Sequence, residues 1–229
     1  RARRGSRRTS VIIYVTGTNT DVGKTVATAA LASAFKQRGR EVVYAKPLQT
    51  GEPEGKGDAV TVGKLAGVEV TEMVRFPEPL APNLSARRAG MDQPGLQELK
   101  EWIAALDAPG RVVLVEGAGG LLVRLTDAYT LADVADRLLI VTSLSLGSLN
   151  AAELTVREAQ RHGIEVLGLI GGSLPADPDL ATRLNLEEMP QVTGCPLWGS
   201  LPEGMARMTP AEFARVAAEV YADFLEHAE

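Results

Sequence analysis

Residues 11–25 read Val11-Ile12-Ile13-Tyr14-Val15-Thr16-Gly17-Thr18-Asn19-Thr20-Asp21-Val22-Gly23-Lys24-Thr25. The β-branched run predicts a buried strand. A glycine-bearing loop follows at once, and Val26, Ala30, Leu31, Ala34 and Phe35 then recur at helical spacing. Such a loop, set between strand and helix, turns successive backbone N–H groups toward phosphate oxygens at the helix N-terminus. Lys24 is placed to reach the β- and γ-phosphates, and the Thr25 hydroxyl to ligate Mg²⁺. Five residues, not the commoner four, separate Gly17 from Gly23. The loop predicts a nucleoside triphosphate and leaves the reaction open.

Working outward, short apolar runs at 10–15, 41–45, 112–115, 138–142, 166–170 and 196–201 read as strands. Helical stripes lie between them: Leu96, Leu99, Ile103 and Leu106; then Leu149, Ala152, Val156 and Ala159. A last helix is signalled by Thr209, Pro210 and Glu212 as cap and capping box, with Phe213, Val216, Ala217, Val220, Tyr221 and Phe224 on its apolar face. Residues 51–58 and 175–185 read as irregular. Alternating strands and helices predict an α/β fold: a single P-loop NTPase-like domain with a mainly parallel β-sheet and helices on both faces. Residues 11–229 form this domain, and residues 1–10, with five arginines, are expected to be a flexible basic tail.

The bulk composition is that of a globular protein, with 45% hydrophobic residues in 229 and a net charge of −5. That balance argues against nucleic acid as a partner, since neutralising phosphates needs a basic face. No apolar stretch reaches transmembrane length. One cysteine, Cys195, allows no intrachain disulfide, and a cytoplasmic location is expected. Cys195, His162 and His227 lack partners at triad or ligand spacing and read as structural.

In an open α/β sheet, ligands bind beyond the carboxyl ends of the strands. Two further strand ends carry polar residues. Lys46-Pro47-Leu48-Gln49-Thr50-Gly51 follows the second strand, where the ammonium could stabilise a transferring phosphoryl group or a carboxylate-like acceptor. Taken alone, Lys46 also reads as a lysine snorkelling from a strand end, and Thr50 as a turn residue. Val112-Val113-Leu114-Val115-Glu116-Gly117-Ala118-Gly119-Gly120 is a Walker B arrangement with Glu116 in the acidic position. A carboxylate there completes the oxygen shell of Mg²⁺, and Asp58 is a candidate second carboxylate or a solvated loop acid.

Together these segments, with Gly57-Asp58-Ala59 and Leu146-Gly147-Ser148-Leu149-Asn150, resemble the dethiobiotin synthetase family across residues 11–201. The resemblance implies a homodimer that converts 7,8-diaminononanoate, CO₂ and ATP into dethiobiotin, ADP and phosphate through a carbamate and its phosphorylated anhydride. It implies nucleotide contacts from Thr18, Asn19, Thr20, Asp21, Val22, Gly23, Lys24, Thr25, Gly172 and Ser173, and Mg²⁺ held by Thr25, Asp58 and Glu116. Catalysis falls to Lys24, Lys46, Thr50 and Asp21. Substrate contacts fall to Lys46, Thr50, Gly117, Ala118 and Gly119, with Gly147 opening a helix whose N-terminus suits the substrate carboxylate and Asn150 serving the neighbouring subunit's site. Many relatives carry a base-reading asparagine where this chain has Gly172, so weaker adenine preference is expected, with CTP or GTP accepted.

Two rivals fit less well. A cobyrinic acid amidase-type synthetase carries a glutaminase domain with a nucleophilic cysteine, for which Cys195 stands too near the end of the chain. A partition or cell-division switch carries an extra lysine early in the phosphate loop, and no lysine precedes Lys24.

Overall fold

In a computed structural model, which describes residues 10–228, seven strands form one parallel sheet in the order β3-β2-β4-β1-β5-β6-β7. The strands are β1 Val11–Gly17, β2 Glu41–Thr50, β3 Glu69–Phe76, β4 Arg111–Gly120, β5 Arg137–Thr142, β6 Glu165–Leu174 and β7 Leu197–Pro202. Every pair in the sheet is parallel. Helices α1 Lys24–Gln37, α2 Asp58–Ala66, α7 Pro210–Val220 and α8 Ala222–Ala228 cover one face. Helices α3 Pro82–Ala89, α4 Leu96–Ala104, α5 Ser148–Arg161 and α6 Leu180–Thr193 cover the other. Residues 1–9 of the expected basic tail lie outside the described residues.

Helix α1 explains its own alanines. It lies between the sheet and α2 and α7, so Ala27, Ala29, Ala30, Ala32 and Ala34 are all buried, and small side chains let three neighbours approach. Leu31 and Phe35, both fully buried, add about 1.5–3 kcal/mol each through burial. The Tyr221 hydroxyl donates to the Ala27 carbonyl at 2.9 Å and fixes the C-terminal helices onto α1.

The structure corrects the sequence reading of several elements. Strand β3 is a seventh strand: its half-buried EVTEMVRF lacks the continuous apolar run of the central strands, because it lies at the sheet edge. The segment 175–185 is irregular only to Asp179, which caps α6 by accepting from the Thr182 N–H at 2.7 Å. The last helix is two, α7 and α8, broken at Tyr221. Its expected start holds, with Thr209 and Glu212 forming a reciprocal capping box.

Candidate active site

The site lies where two neighbouring strands part. Strands β2 and β4 pair from Glu41↔Arg111 through Ala45↔Val115 and no further. Beyond that point β2 stays with β3, and β4 stays with β1 through Val15↔Glu116. Pro47 has no N–H to offer a ladder, which suits a strand leaving its neighbour. Lys46 and Glu116 are the first residues past the last pair. Glu116 is therefore not at a strand terminus, as its position before Gly117 suggested, but inside β4, which runs on to Gly120.

At this fork the Lys46 ammonium lies 2.6 Å from Asp58 Oδ2, 3.1 Å from Glu116 Oε1 and 2.9 Å from the Gly117 carbonyl. Lys46 and Glu116 are 3% and 1% exposed, so both charges are held away from water and need one another. Burial opposes the Lys46 charge, but Glu116 and Asp58 outweigh it and hold its pKa above the ordinary lysine value. Burial likewise pushes the Asp58 carboxyl up, and Lys46 and Thr25 more than reverse that, leaving it below the usual carboxylate range. Asp58 does not end a flexible stretch; it opens α2. Gln49 fixes it there, accepting from the Asp58 N–H at 2.9 Å while donating to the Thr50 carbonyl at 3.0 Å.

The phosphate loop forms the opposite wall. A Cβ on Gly17 would stand 2.6 Å from the Asn19 carbonyl oxygen, so only glycine lets the loop fold back there. Gly23, with φ 95°, turns the chain into α1, whose first N–H groups have no intrahelical partner. The Thr18 N–H is already committed to the Val141 carbonyl on β5, at 2.9 Å, and the Thr20 N–H to Asn19 Oδ1, at 2.8 Å. Lys24 is buried, which lowers its pKa, with the Lys46 charge adding to the effect against Glu116, Asp58 and Asp21.

Thr25 Oγ1 lies 2.9 Å from Asp58 Oδ1 and 3.1 Å from Glu116 Oε1. An octahedral ion with bonds of about 2.0–2.1 Å sets adjacent ligand oxygens about 2.9 Å apart, so these two separations match neighbouring ligands of Mg²⁺. Two carboxylates and a hydroxyl leave the remaining positions to water and phosphate, as that ion prefers. Among the described residues, no cluster of three His, Cys, Asp or Glu side chains competes as a metal site.

Between these walls lies a cavity of about 760 Å³. It gathers Thr20, Asp21, Gly23, Lys24, Thr25, Lys46, Thr50, Asp58, Glu116, Ala118 and Gly119 from the sequence-predicted set. Gly117 contributes its carbonyl to Lys46. Its missing Cβ leaves room for Leu131, which would stand 2.8 Å away. Gly172 and Ser173 are not in the cavity lining. Gly172 lies within β6, pressed on the phosphate loop: a Cβ there would stand 2.1 Å from the Val22 carbonyl oxygen. Gly147 and Asn150, exposed at the start of α5, also lie outside the lining.

The sequence reading missed an apolar wall of the same cavity, formed by Leu48, Pro79, Leu80, Ala81, Pro82 and Val123. The two prolines in residues 79–82 were the available signal, since they mark a stiff connecting segment. It also missed Tyr44, two residues before Lys46 and so on the same strand face. Tyr44 is fully buried. Its hydroxyl and Glu116 Oε2 are both without a closed hydrogen bond among the described residues. The two groups are close enough that, after burial, the Glu116 charge is the main influence holding the phenol's pKa well above its ordinary value.

Comparison with known proteins separates fold from family. A family model described as an AAA domain matches residues 12–210. By structure the chain resembles the septum site-determining protein MinD of Pyrococcus horikoshii, complexed with Mg-ADP (TM-score 0.64, 17% identity, 96% of each chain covered). It is equally similar to the cobyrinic acid a,c-diamide synthase of Mycobacterium smegmatis (TM-score 0.64, 17% identity, 95% of each chain). At that identity the likeness shows the fold alone, and both rivals share it. Sequence decides between them. The chain is 57% identical over 214 residues to the ATP-dependent dethiobiotin synthetase of Corynebacterium diphtheriae, covering 92% of this chain and 96% of that protein. It is 49% identical over 213 residues to the one from Streptomyces coelicolor, covering 90% of each. The chain therefore belongs to the ATP-dependent dethiobiotin synthetase family.

Proposed function

We propose that the chain joins CO₂ to 7,8-diaminononanoate at the expense of ATP, giving dethiobiotin, ADP and phosphate. The observation that carries this reading is the buried Lys46 at the β2–β4 fork, facing a cavity with phosphate-loop residues on one side and an apolar wall on the other. An aliphatic diamine needs both an apolar surface for its chain and a polar end for its amines.

One substrate amine adds to CO₂ and loses a proton, leaving a carbamate. The γ-phosphoryl group passes from ATP to a carbamate oxygen. The second amine then attacks the carbamate carbon, expelling phosphate and losing a proton as the ureido ring closes. None of these steps needs a protein nucleophile, which agrees with the absence of a nucleophilic cysteine or histidine in the cavity lining. Lys24 supports charge on the β- and γ-phosphates, and Lys46 supports the carbamate oxygens. Thr50 donates its hydroxyl to the same group. Asp21 orients a protonated amine and accepts a proton from it. Thr25, Asp58 and Glu116 would hold Mg²⁺, which when bound neutralises charge on the transferring phosphoryl group. The carbon of isotope-labelled bicarbonate should appear in a product that carries one carbonyl more and two hydrogens fewer than the diamine, with one phosphate released per product. Phosphate release without labelled product would sink the assignment.

Gly172 supports a relaxed choice of nucleotide. No side chain fits between it and the Val22 carbonyl, so position 172 cannot read a base through an amide. Self-association is supported by exposed Leu146 and Leu154 at α5 and Leu180 and Leu184 at α6, helices that pack on each other. A second copy seated there would explain why Gly147 and Asn150 lie outside their own subunit's cavity. No helix among the described residues is long and apolar enough to cross a membrane, and a cytoplasmic location fits the single buried free thiol.

A further inference from the structure

Lys46 and the metal assignment make opposing demands on the same oxygens. The ammonium has three protons, and Asp58 Oδ2, Glu116 Oε1 and the Gly117 carbonyl are three acceptors at 2.6, 3.1 and 2.9 Å. Held this way, Lys46 has no proton left for a substrate oxygen. Glu116 Oε1 meanwhile serves both the ammonium and Thr25 Oγ1, at 3.1 Å each. A dication bound by Thr25, Asp58 and Glu116 would share that oxygen with the ammonium, and the two positive charges would repel across it. The lysine's four-carbon stem is flexible, and the open cavity lies beside it.

We propose that Lys46 is a built-in counter-cation of the Asp58–Glu116 pair, mutually exclusive with the divalent ion, whose arrival turns the ammonium into the cavity. This rests on the metal assignment proposed above. Its consequence is an order of events. Without metal, Lys46 offsets one of the two negative charges shared by the buried Glu116 and the partly exposed Asp58. With metal, the same lysine becomes available to the anionic end of the substrate. The catalytic lysine is armed by the ion that accompanies the nucleotide.

The test uses Mn²⁺ alone as the probe, without nucleotide, on the full chain. Free Mn²⁺ is counted by electron paramagnetic resonance for the wild type, Lys46→Met, and Lys46→Met combined with Asp58→Asn. Removing the competitor should tighten Mn²⁺ binding at least about 10-fold in Lys46→Met, and Asp58→Asn should abolish the gain. Lys46→Met should also melt lower than wild type without metal and recover in Mn²⁺, because the ion replaces the missing counter-charge. In the wild type itself, acylation of the Lys46 amine, followed by peptide mass spectrometry, should quicken several-fold when Mn²⁺ is added. This second readout stands even if the variant folds poorly. Binding that depends on Asp58 but is no tighter in Lys46→Met than in wild type overturns the exclusion and leaves the metal site standing. Binding indifferent to Asp58→Asn overturns both. An unchanged acylation rate under saturating Mn²⁺ overturns the displacement.

Discussion

The two flanks of β1 are built from opposite materials. On the β4 side, the fork with β2 buries an ammonium against two carboxylates, with a phenol and a threonine hydroxyl beside them. On the β5–β6 side, the phosphate loop is met by backbone: Thr18 donates to the Val141 carbonyl, and Gly172 packs against the Val22 carbonyl. One flank holds charge and the other holds shape. Charge chemistry tolerates loss of a single group poorly, because a partner is left buried and unpaired. A shape contact fails only when something is added to it. The first flank gathers the charged groups of the cavity, and the second seats the phosphate loop.

Four measurements would sharpen or break this contrast. The largest effect belongs to Lys46→Ala, which should lower diamine-dependent turnover by about 10²–10³-fold, as expected for removing a preorganised charge from a developing anion. A loss below about threefold would remove the charged flank from the chemistry. Next is Tyr44→Phe. If the phenol steadies Glu116, the metal requirement should rise by about 10-fold while the melting temperature holds, since a second-layer partner is lost without a change of shape. An unchanged requirement would make Tyr44 a packing residue only. On the other flank, kcat/KM for ATP, CTP, GTP and UTP should fall within about 10-fold of one another, because no side chain at position 172 rejects a wrong base. Strict use of ATP would place base reading elsewhere. The last effect is on stability: in Gly172→Ala the added methyl meets the Val22 carbonyl and costs about 1–3 kcal/mol. Full stability in that variant would mean the loop can move aside.

The same contrast explains what could be read from sequence. Glycine-lysine-threonine after a strand and an acidic residue ending an apolar run carry chemistry in their residue types, so Lys24, Thr25 and Glu116 were legible as candidates, as was the alternation that gives a parallel sheet. Lys46, taken alone, read as a snorkelling lysine and became a candidate through the family resemblance. Asp58 was legible only as an acid of uncertain context, because the contact that fixes it comes from the side chain of Gln49, nine residues earlier. The edge strand β3 and the apolar wall at residues 79–82 carry no such mark. Their roles follow from which strand lies at the rim and which loop crosses the fork, and both are set by tertiary packing. The steric closure at Gly172 was not visible either, since it depends on a carbonyl far away in sequence.

The central claim is that the buried charge at the β2–β4 fork serves the ligation of a diamine and CO₂. It is tested most directly by phosphate release from the purified chain given ATP, Mg²⁺ and bicarbonate, with and without 7,8-diaminononanoate. The account predicts release that appears with the diamine and falls sharply in Lys46→Ala. Release at the same rate with or without the diamine, and unaltered in that variant, would contradict it.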